Sequence, residues 1–326
     1  MDGLGSLSAG MRAVIVGAAI ASGALFVGYV AGAVYDGRID PRDCPPACSS
    51  AVEAEEASST ALDAAAAATS PTPVPTEPAS LPYVSAHSVA VLEASCGALM
   101  FGRAPHDQYS PASLTKLMTA VVALDNADPS TLITAHIDGQ QLFDKTGSTI
   151  MGLKPGQQLS LLDLLYGLLL PSGNDAAVAI AEGIAGTQAQ FVDMMNTKAK
   201  SLALDDTHFT NPHGLDDPKL HSSAYDMAVL ARYVMQNPTL REIVSTVSWQ
   251  PRWDGPPVWN GNRLITEYPG ADGVKIGYTE KSAQTIVASA TRGGRRIIVS
   301  LMYSQDRYSD AERLLDWAFA QPTTCP

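Results

Sequence analysis

Basic residues are scarce in this chain of 326 residues. Lys and Arg number 21 against 33 Asp and Glu, which gives a formal net charge of −12. Proteins that bind nucleic acid neutralise phosphates with clustered Lys and Arg, so this composition argues against a nucleic-acid partner. Half of the excess lies in 36–82, where eight acids face two arginines. The acidity therefore belongs largely to one segment and carries no information about a substrate.

Signatures of several catalytic classes are missing as well. There is no G-x-S-x-G elbow, the signature of α/β-hydrolases, and no H-E-x-x-H pair, the signature of zinc metalloproteases. The usual forms of both classes are therefore excluded. The six histidines, at 87, 106, 136, 208, 213 and 221, show no zinc-site spacing. We therefore expect neither a metal nor a cofactor. His213, in N-P-H-G-L-D-D, is expected to fix a loop.

What the chain does contain is an S-x-x-K pair, Ser113 and Lys116, in P-A-S-L-T-K-L-M-T-A. Residues three apart share a helix face. Pro111 suits a first helical turn and Ser110 the cap before it, so Ser113 is predicted at a helix N-terminus, where free N–H groups point. A lysine in a dry site or beside another cation can take the serine proton. Alone, the pair also fits a capped surface helix.

Two further motifs follow. The first is S-G-N at 172–174, in the turn between two predicted helices. The helix before it begins with a capping box, Ser160 with Asp163, and ends at Pro171. Asn174 or Asp175 can cap the helix after it. A hydroxyl and an amide in such a turn can face a cleft, although a plain capping turn gives the same pattern.

The second motif is K-I-G at 275–277, within an alternating, β-branched run that predicts a strand. Lys275 offers a fixed positive charge for a carboxylate, and Gly277 permits close approach of a substrate backbone. Taken alone, a strand lysine is usually solvated surface.

Together the three motifs resemble the S-x-x-K, S-x-N and K-T-G elements that line one cleft in the penicillin-recognising serine acyl-enzymes. The flanking sequence is similar to the low-molecular-weight D-alanyl-D-alanine carboxypeptidases, from about Tyr83 to about Ala320. The similarity is carried by long phrases in the family's order, among them QYSPASLTKLMTA, GLLLPSGNDAA, FTNPHGLDD and YPGADGVKIGYT.

The resemblance implies acyl transfer in two steps, with no cofactor. Ser113 would attack the carbonyl between two D-alanines, Lys116 would act as the base, and Ser172 would relay a proton to the leaving amine. Asn174 would hold Lys116 and the substrate amide. Lys275 would attract the carboxylate and, as a nearby cation, disfavour protonation of Lys116.

The resemblance also implies the substrate side of the site, formed by Lys275, Gly277, Tyr278 and Thr279. The oxyanion hole would be the N–H groups of Ser113 and Tyr278. The expected partners are peptidoglycan stem peptides and β-lactams, which Ser113 would open in the same way.

One position departs from the family pattern. Ile276 stands where the family has the threonine of K-T-G, and that hydroxyl would bond the substrate carboxylate. Its loss is worth roughly ten- to a hundredfold in turnover. Thr279 is a candidate replacement. Ala283 stands where the family commonly has glycine.

For architecture, we predict an α/β fold of the α+β type. Strands around 86–102 and a hairpin across 292–295 bracket a helix-rich middle, and a last helix follows, capped by Ser309 with Glu312. This order implies an antiparallel sheet of about five strands packed by N- and C-terminal helices, plus a helical subdomain, as the resemblance does.

Three regions are expected. Residues 13–35 form a charge-free run of 23 residues, long enough to span a bilayer, so 1–35 is predicted to be a membrane anchor, with cleavage after Ala31-Gly32-Ala33 as the alternative. Residues 36–82, rich in Ala, Ser, Thr and Pro, form a linker. Residues 83–326 form the catalytic domain, without the β-rich C-terminal domain of many relatives, and are expected outside the cytoplasm.

Four cysteines, at 44, 48, 96 and 325, suit an oxidising compartment. Cys44 and Cys48 pair locally and leave Cys96 with Cys325, or the linker is stapled to the domain, or the thiols are free.

The leading hypothesis is a membrane-tethered serine D-Ala-D-Ala carboxypeptidase. Two alternatives stay open: an endopeptidase or weak β-lactamase of the same fold, and a wall-peptide binding module that lost turnover through Ile276.

Overall fold

A computed structural model describes residues 80–252 and 255–325. The predicted anchor and nearly all of the predicted linker lie outside the described residues. Within the part that is described, no helix is both long and apolar enough to span a membrane.

The strands of the main sheet come from the first and last parts of the described chain, and most of the helices lie between them in sequence. The strands are β1 (Ser88–Glu93), β2 (Leu99–Arg103), β3 (Leu132–Thr134), β4 (Gln158–Ser160), β5 (Ser248–Trp249), β6 (Val258–Trp259), β7 (Ala271–Thr279), β8 (Ala283–Arg292) and β9 (Arg295–Ser304). The helices are α1 (Thr115–Asn126), α2 (Gly139–Thr146), α3 (Leu161–Leu169), α4 (Asn174–Ala185), α5 (Gln188–Ser201), α6 (Ala224–Gln236), α7 (Pro238–Ser245), α8 (Leu264–Glu267) and α9 (Arg307–Ala320).

The main sheet has five antiparallel strands in the order β2-β1-β9-β8-β7. The predicted hairpin β8–β9 turns at Gly293-Gly294, where both residues have positive φ, as a tight two-residue turn requires. The predicted strand count and the predicted helical middle are confirmed.

Both faces of the sheet are covered. Successive strand residues point to opposite sides, so they pack into two different clusters. Val89 and Val91 of β1 pack in one cluster with Leu314 and Leu315 of α9. Ala90 and Leu92 pack in a second, larger cluster with the helices of the middle region. Full coverage explains why the central strands β1 and β9 read as apolar runs rather than as an alternating pattern.

Helix α1 runs through the larger cluster. Every residue from Thr115 to Ala123 is buried, as expected of a helix surrounded by protein on all sides. The apolar stretch 161–180 forms the buried pair α3 and α4, with Ser160 capping α3 as predicted.

Three predicted caps are wrong. Ser110 does not cap a helix, because its hydroxyl donates to Asp216 at 3.1 Å and a 3₁₀ turn at Ala112–Leu114 precedes α1. The cap of α9 is Asp306, which accepts from the Ser309 N–H. Neither Asn174 nor Asp175 caps α4, which begins after Gly173.

Cys96 and Cys325 form a disulfide, 229 residues apart in sequence. It ties the chain after α9 to the turn between β1 and β2. The Cys96–Cys325 bond belongs to the predicted alternative that pairs Cys44 with Cys48. Those two cysteines lie outside the described residues.

Candidate active site

The three sequence motifs converge on one cavity of about 290 Å³. Ser113, Ser172, Asn174, Lys275, Gly277, Tyr278 and Thr279 all line it. The fold brings them there from three places: the turn before α1, the turn between α3 and α4, and the edge strand β7.

Ser113 lies in the 3₁₀ turn at the start of α1. Ala112 just before it has φ of 48°, a conformation that non-glycine residues rarely adopt and that is often found at functional sites. The Ser113 N–H is close to β7, since a Cβ added at Gly277 would lie 2.9 Å from that nitrogen and 2.5 Å from Thr285 Oγ1. Gly277 therefore makes room for Ser113 and Thr285.

Lys116 lies one helical turn further on, with no exposed surface. Its Nζ is 2.9 Å from Ser113 Oγ and 2.7 Å from the carbonyl oxygen of His213. Burial, and then the positive charge of Lys275, hold the pKa of Lys116 well below that of an ordinary lysine, against a smaller opposing effect of Asp175. A neutral amine in contact with the hydroxyl is the state that a general base needs.

The loop at 212–214 holds Lys116 from the other side. A Cβ at Gly214 would lie 1.9 Å from the Ala112 carbonyl oxygen, and φ there is +89°, so only glycine fits. Thr119, one turn after Lys116, donates to the Pro212 carbonyl at 2.6 Å. The close approach brings the His213 carbonyl within reach of the amine.

The His213 ring has the structural role that the sequence predicted. Its Nδ1 accepts from the Leu215 N–H at 3.1 Å. Burial, and then the charge of Lys116, lower the pKa of His213 to about 3, so the ring is neutral. No cluster of metal-ligating side chains occurs among the described residues.

The S-G-N turn contributes a buried hydroxyl beside the cavity. Ser172 has φ of 69°, and its Oγ is buried without a hydrogen-bond partner in the described part of the chain. Since buried polar atoms are nearly always paired, such an atom beside a cavity points to a ligand. Asn174 also lines the cavity, but among the described residues its side chain makes no hydrogen bond to Lys116, whose Nζ bonds to Ser113 and His213.

Lys275 is 2 % exposed, and its Nζ donates to the Ile276 carbonyl at 3.2 Å. Burial, and then Arg307, lower the pKa of Lys275 to about 7. Its predicted effect on Lys116 is confirmed, although burial of Lys116 contributes more.

Arg307 is a second cation of the cavity that the sequence did not reveal. It is the first residue of α9, lines the cavity and donates to the Gly277 carbonyl at 2.6 Å. No motif surrounds it in the sequence. Only the pairing of β9 with β8 and of β8 with β7 brings the start of α9 to this edge.

Ile276 and Thr279 leave the cation end of the cavity without a hydroxyl from either residue. Ile276 is half-buried, and its Cδ1 would lie 3.3 Å from a Cβ at Gly261. Thr279 Oγ1 donates at 2.9 Å to Asp216 and lies 2.9 Å from Ser282 Oγ. The idea that Thr279 replaces the missing threonine is therefore wrong for this structure, because its hydroxyl is already engaged. Ala283 adopts φ of 51°, which explains why glycine suits that position.

Several known proteins resemble this chain in sequence and in fold. Residues 75–306 match the sequence profile of a peptidase family described as D-alanyl-D-alanine carboxypeptidase. The D-alanyl-D-alanine carboxypeptidase DacD of Escherichia coli (strain K12) is 39% identical over 255 residues, which cover 74% of this chain and 65% of that protein. DacB2 of Mycobacterium tuberculosis is 36% identical, with 74% of this chain and 84% of that protein covered.

Among solved structures, the Streptomyces K15 DD-transpeptidase superposes with a TM-score of 0.69 at 29% identity. The match covers 74% of this chain and 99% of that chain. The chain thus spans a little under two thirds of the length of DacD, and nearly all of the smaller K15 chain.

Burial of Lys275 predicts a pH-dependent cost in stability. Between pH 7 and the ordinary lysine value of 10.5, the unfolded chain binds a proton that the folded chain does not, so through this group the free energy of unfolding rises with pH over that window. We expect Lys275→Met to be more stable than the wild type at pH 7, with the difference shrinking toward pH 10.5. Thermal unfolding at a series of pH values measures it.

The matched control is Lys281→Met, an exposed lysine in the turn after β7, which should show no such trend. A Lys275→Met protein that is less stable than the wild type at pH 7 would contradict the assignment of a costly buried cation.

Proposed function

Because this chain belongs to the D-alanyl-D-alanine carboxypeptidase family, we propose that it removes the terminal D-alanine of peptidoglycan stem peptides through an acyl-enzyme on Ser113. The observation that carries the proposal is the 2.9 Å contact between Ser113 Oγ and the buried Lys116 amine, at the base of a cavity that also holds two cations. A neutral base, a nucleophile and an anion-binding end are the three parts that cleavage beside a C-terminal carboxylate requires.

The reaction begins with proton transfer. Neutral Lys116 takes the hydroxyl proton of Ser113, and Oγ attacks the carbonyl carbon of the terminal peptide bond. The negative oxygen that forms is stabilised by the N–H groups of Ser113 and Tyr278. The Ser172 hydroxyl relays the proton held by Lys116 to the leaving amine, so that Lys116 is neutral again and D-alanine departs. Lys116 then takes a proton from water, which hydrolyses the ester and regenerates Ser113.

The substrate carboxylate is held by charge. Lys275 and Arg307 supply it, and Gly277 and Tyr278 on the edge strand receive the peptide backbone. Asn174, across the cavity, binds the amide before the scissile bond. Lys275 is about half protonated near pH 7, so Arg307 carries the permanent charge.

We also propose that the enzyme acts outside the cytoplasm from a membrane tether. The charge-free run 13–35 and the Cys96–Cys325 disulfide support this, since disulfides persist in oxidising compartments. Fractionation of cells tests it. The full-length chain should stay in the membrane fraction after an alkaline wash, and a soluble chain that lacks its first 33 residues would show cleavage instead.

Penicillin treatment tests the acyl-enzyme. Because the lactam opens on the nucleophile without losing atoms, we expect the full-length wild type to gain the mass of one penicillin molecule, and Ser113→Ala to gain none. Intact-mass spectrometry measures both. Ser130→Ala, at an exposed serine in the loop before β3, is the control and should be labelled like the wild type.

Equal labelling of wild type and Ser113→Ala would refute the assignment. Products from a stem peptide then separate the alternatives of the same fold: free D-alanine, cleaved crosslinks or, with a lactam, its hydrolysis product. An adduct on Ser113 with bound peptide and no product at all would favour the non-catalytic binding module.

Restoring the family hydroxyl should raise turnover. In Ile276→Thr, a hydroxyl returns beside Lys275 and Arg307 and can donate to the carboxylate. We expect D-alanine release to increase by roughly ten- to a hundredfold, as measured by mass spectrometry of the freed amino acid. Ile276→Val, which shortens the side chain without adding a hydroxyl, should leave the rate near that of the wild type. Equal gains in both variants would mean that volume at 276, and not hydrogen bonding, limits turnover.

A further inference from the structure

Asp175 is a fully buried carboxylate that the catalytic steps above do not use. It is the second residue of α4, and both of its oxygens accept backbone N–H groups. Oδ1 accepts from Met151 at 2.8 Å and from Ala176 at 2.9 Å. Oδ2 accepts from Gly152 at 2.8 Å and from Leu153 at 2.9 Å. Three consecutive N–H groups of one segment thus converge on a single side chain.

Two glycines make room for this contact. A Cβ at Gly139 would lie 2.6 Å from Asp175 Oδ2 and 3.0 Å from the Leu153 nitrogen. A Cβ at Gly173 would lie 3.0 Å from Asp175 Oδ1 and 3.1 Å from the Met151 nitrogen. The carboxylate and the segment are therefore fitted so closely that a single added methyl group disturbs them.

The segment held in this way leads directly into the cavity. Residues 147–149 form one of its walls, and the Thr149 carbonyl accepts from the Asn174 N–H at 2.9 Å. Ser172 and Asn174 line the cavity beside that wall. Because Asp175 follows Asn174 in the chain, its carboxylate fixes the distance between the wall and the S-G-N turn.

Asp175 also acts on the base through its charge. The groups that act on Lys116 are Lys275 from β7, which lowers its pKa, and Asp175 from α4, which raises it. His213, from the loop at 212–214, is neutral and offers its carbonyl. Asp175 is the one anion in this set.

We propose that Asp175 is a positioning residue for the Ser113 reaction, holding the 147–153 segment against the S-G-N turn. The inference rests on the proposed acyl-enzyme function. The Asp175 carboxylate has two effects that different substitutions can separate: it fits the cavity wall to the S-G-N turn, and its charge acts on Lys116.

Asp175→Asn removes the charge and turns one acceptor oxygen into an NH₂ group that faces two N–H donors. We expect the rate of Ser113 acylation by penicillin to fall about ten- to a hundredfold. The acidic limb of its pH profile should move to lower pH, since the pKa of Lys116 falls when the anion is lost. Hydrogen exchange of the 151–153 amides should become faster.

Gly139→Ala keeps the charge and displaces the segment. It should slow acylation and speed exchange at 151–153, with the acidic limb unmoved. Asp163→Asn is the matched control, because Asp163 is also buried and accepts from Ser160 and Trp249, away from the cavity. It should lower the melting temperature and leave both the pH profile and the exchange at 151–153 unchanged.

The outcomes are distinct. A wild type that forms no adduct refutes the proposed function and this inference with it. A wild-type adduct, together with an Asp175→Asn protein whose rate and pH profile match those of Asp163→Asn, overturns the inference alone. If Asp175→Asn does not fold, Gly139→Ala decides, and an unchanged acylation rate in that variant overturns the role of the wall.

Discussion

The contact between Ser113 and Lys116 can serve proton transfer only if the amine is neutral at physiological pH, and the surroundings of Lys116 lower its pKa. Lys116 is fully buried on α1, with the loop at 212–214 against it, so that water does not solvate its charge. Lys275 adds repulsion from β7. A lysine in this position would otherwise be protonated and useless as a base. The site thus holds two buried amines, each of which would be more stable in water.

That arrangement divides the labour between the sheet and the helical region. Edge strand β7 supplies Lys275, and the helical region supplies Ser113, Lys116 and the opposite wall of the cavity. The close approach of Gly277 on β7 to the Ser113 nitrogen joins the two halves at Ser113. Strained conformations at Ala112 and Ser172 lie at the same junction, where packing from both halves determines the backbone.

The sequence predicted the site where chemistry is local and missed it where topology decides. Ser113 and Lys116 meet because three residues separate them on one turn, and the S-G-N turn follows from a capping box and a proline. Arg307 has no such local signal, since its place depends on strand pairing. The predicted roles of Ser110 as a helix cap and of Thr279 as the replacement hydroxyl are wrong for a related reason. Asp216, more than sixty residues from Thr279 in sequence, binds both hydroxyls. Tertiary partners of this kind outcompete local capping rules.

The sheet topology sets when this chain can fold. β1, at the beginning of the domain, is hydrogen-bonded between β2 and β9, with Val89 opposite Leu301. Until residues 295–304 have been synthesised, β1 and β2 form only a two-stranded ribbon, which is too small to be stable in water. A nascent polypeptide therefore cannot complete this sheet before residues 295–304 have emerged from the ribosome.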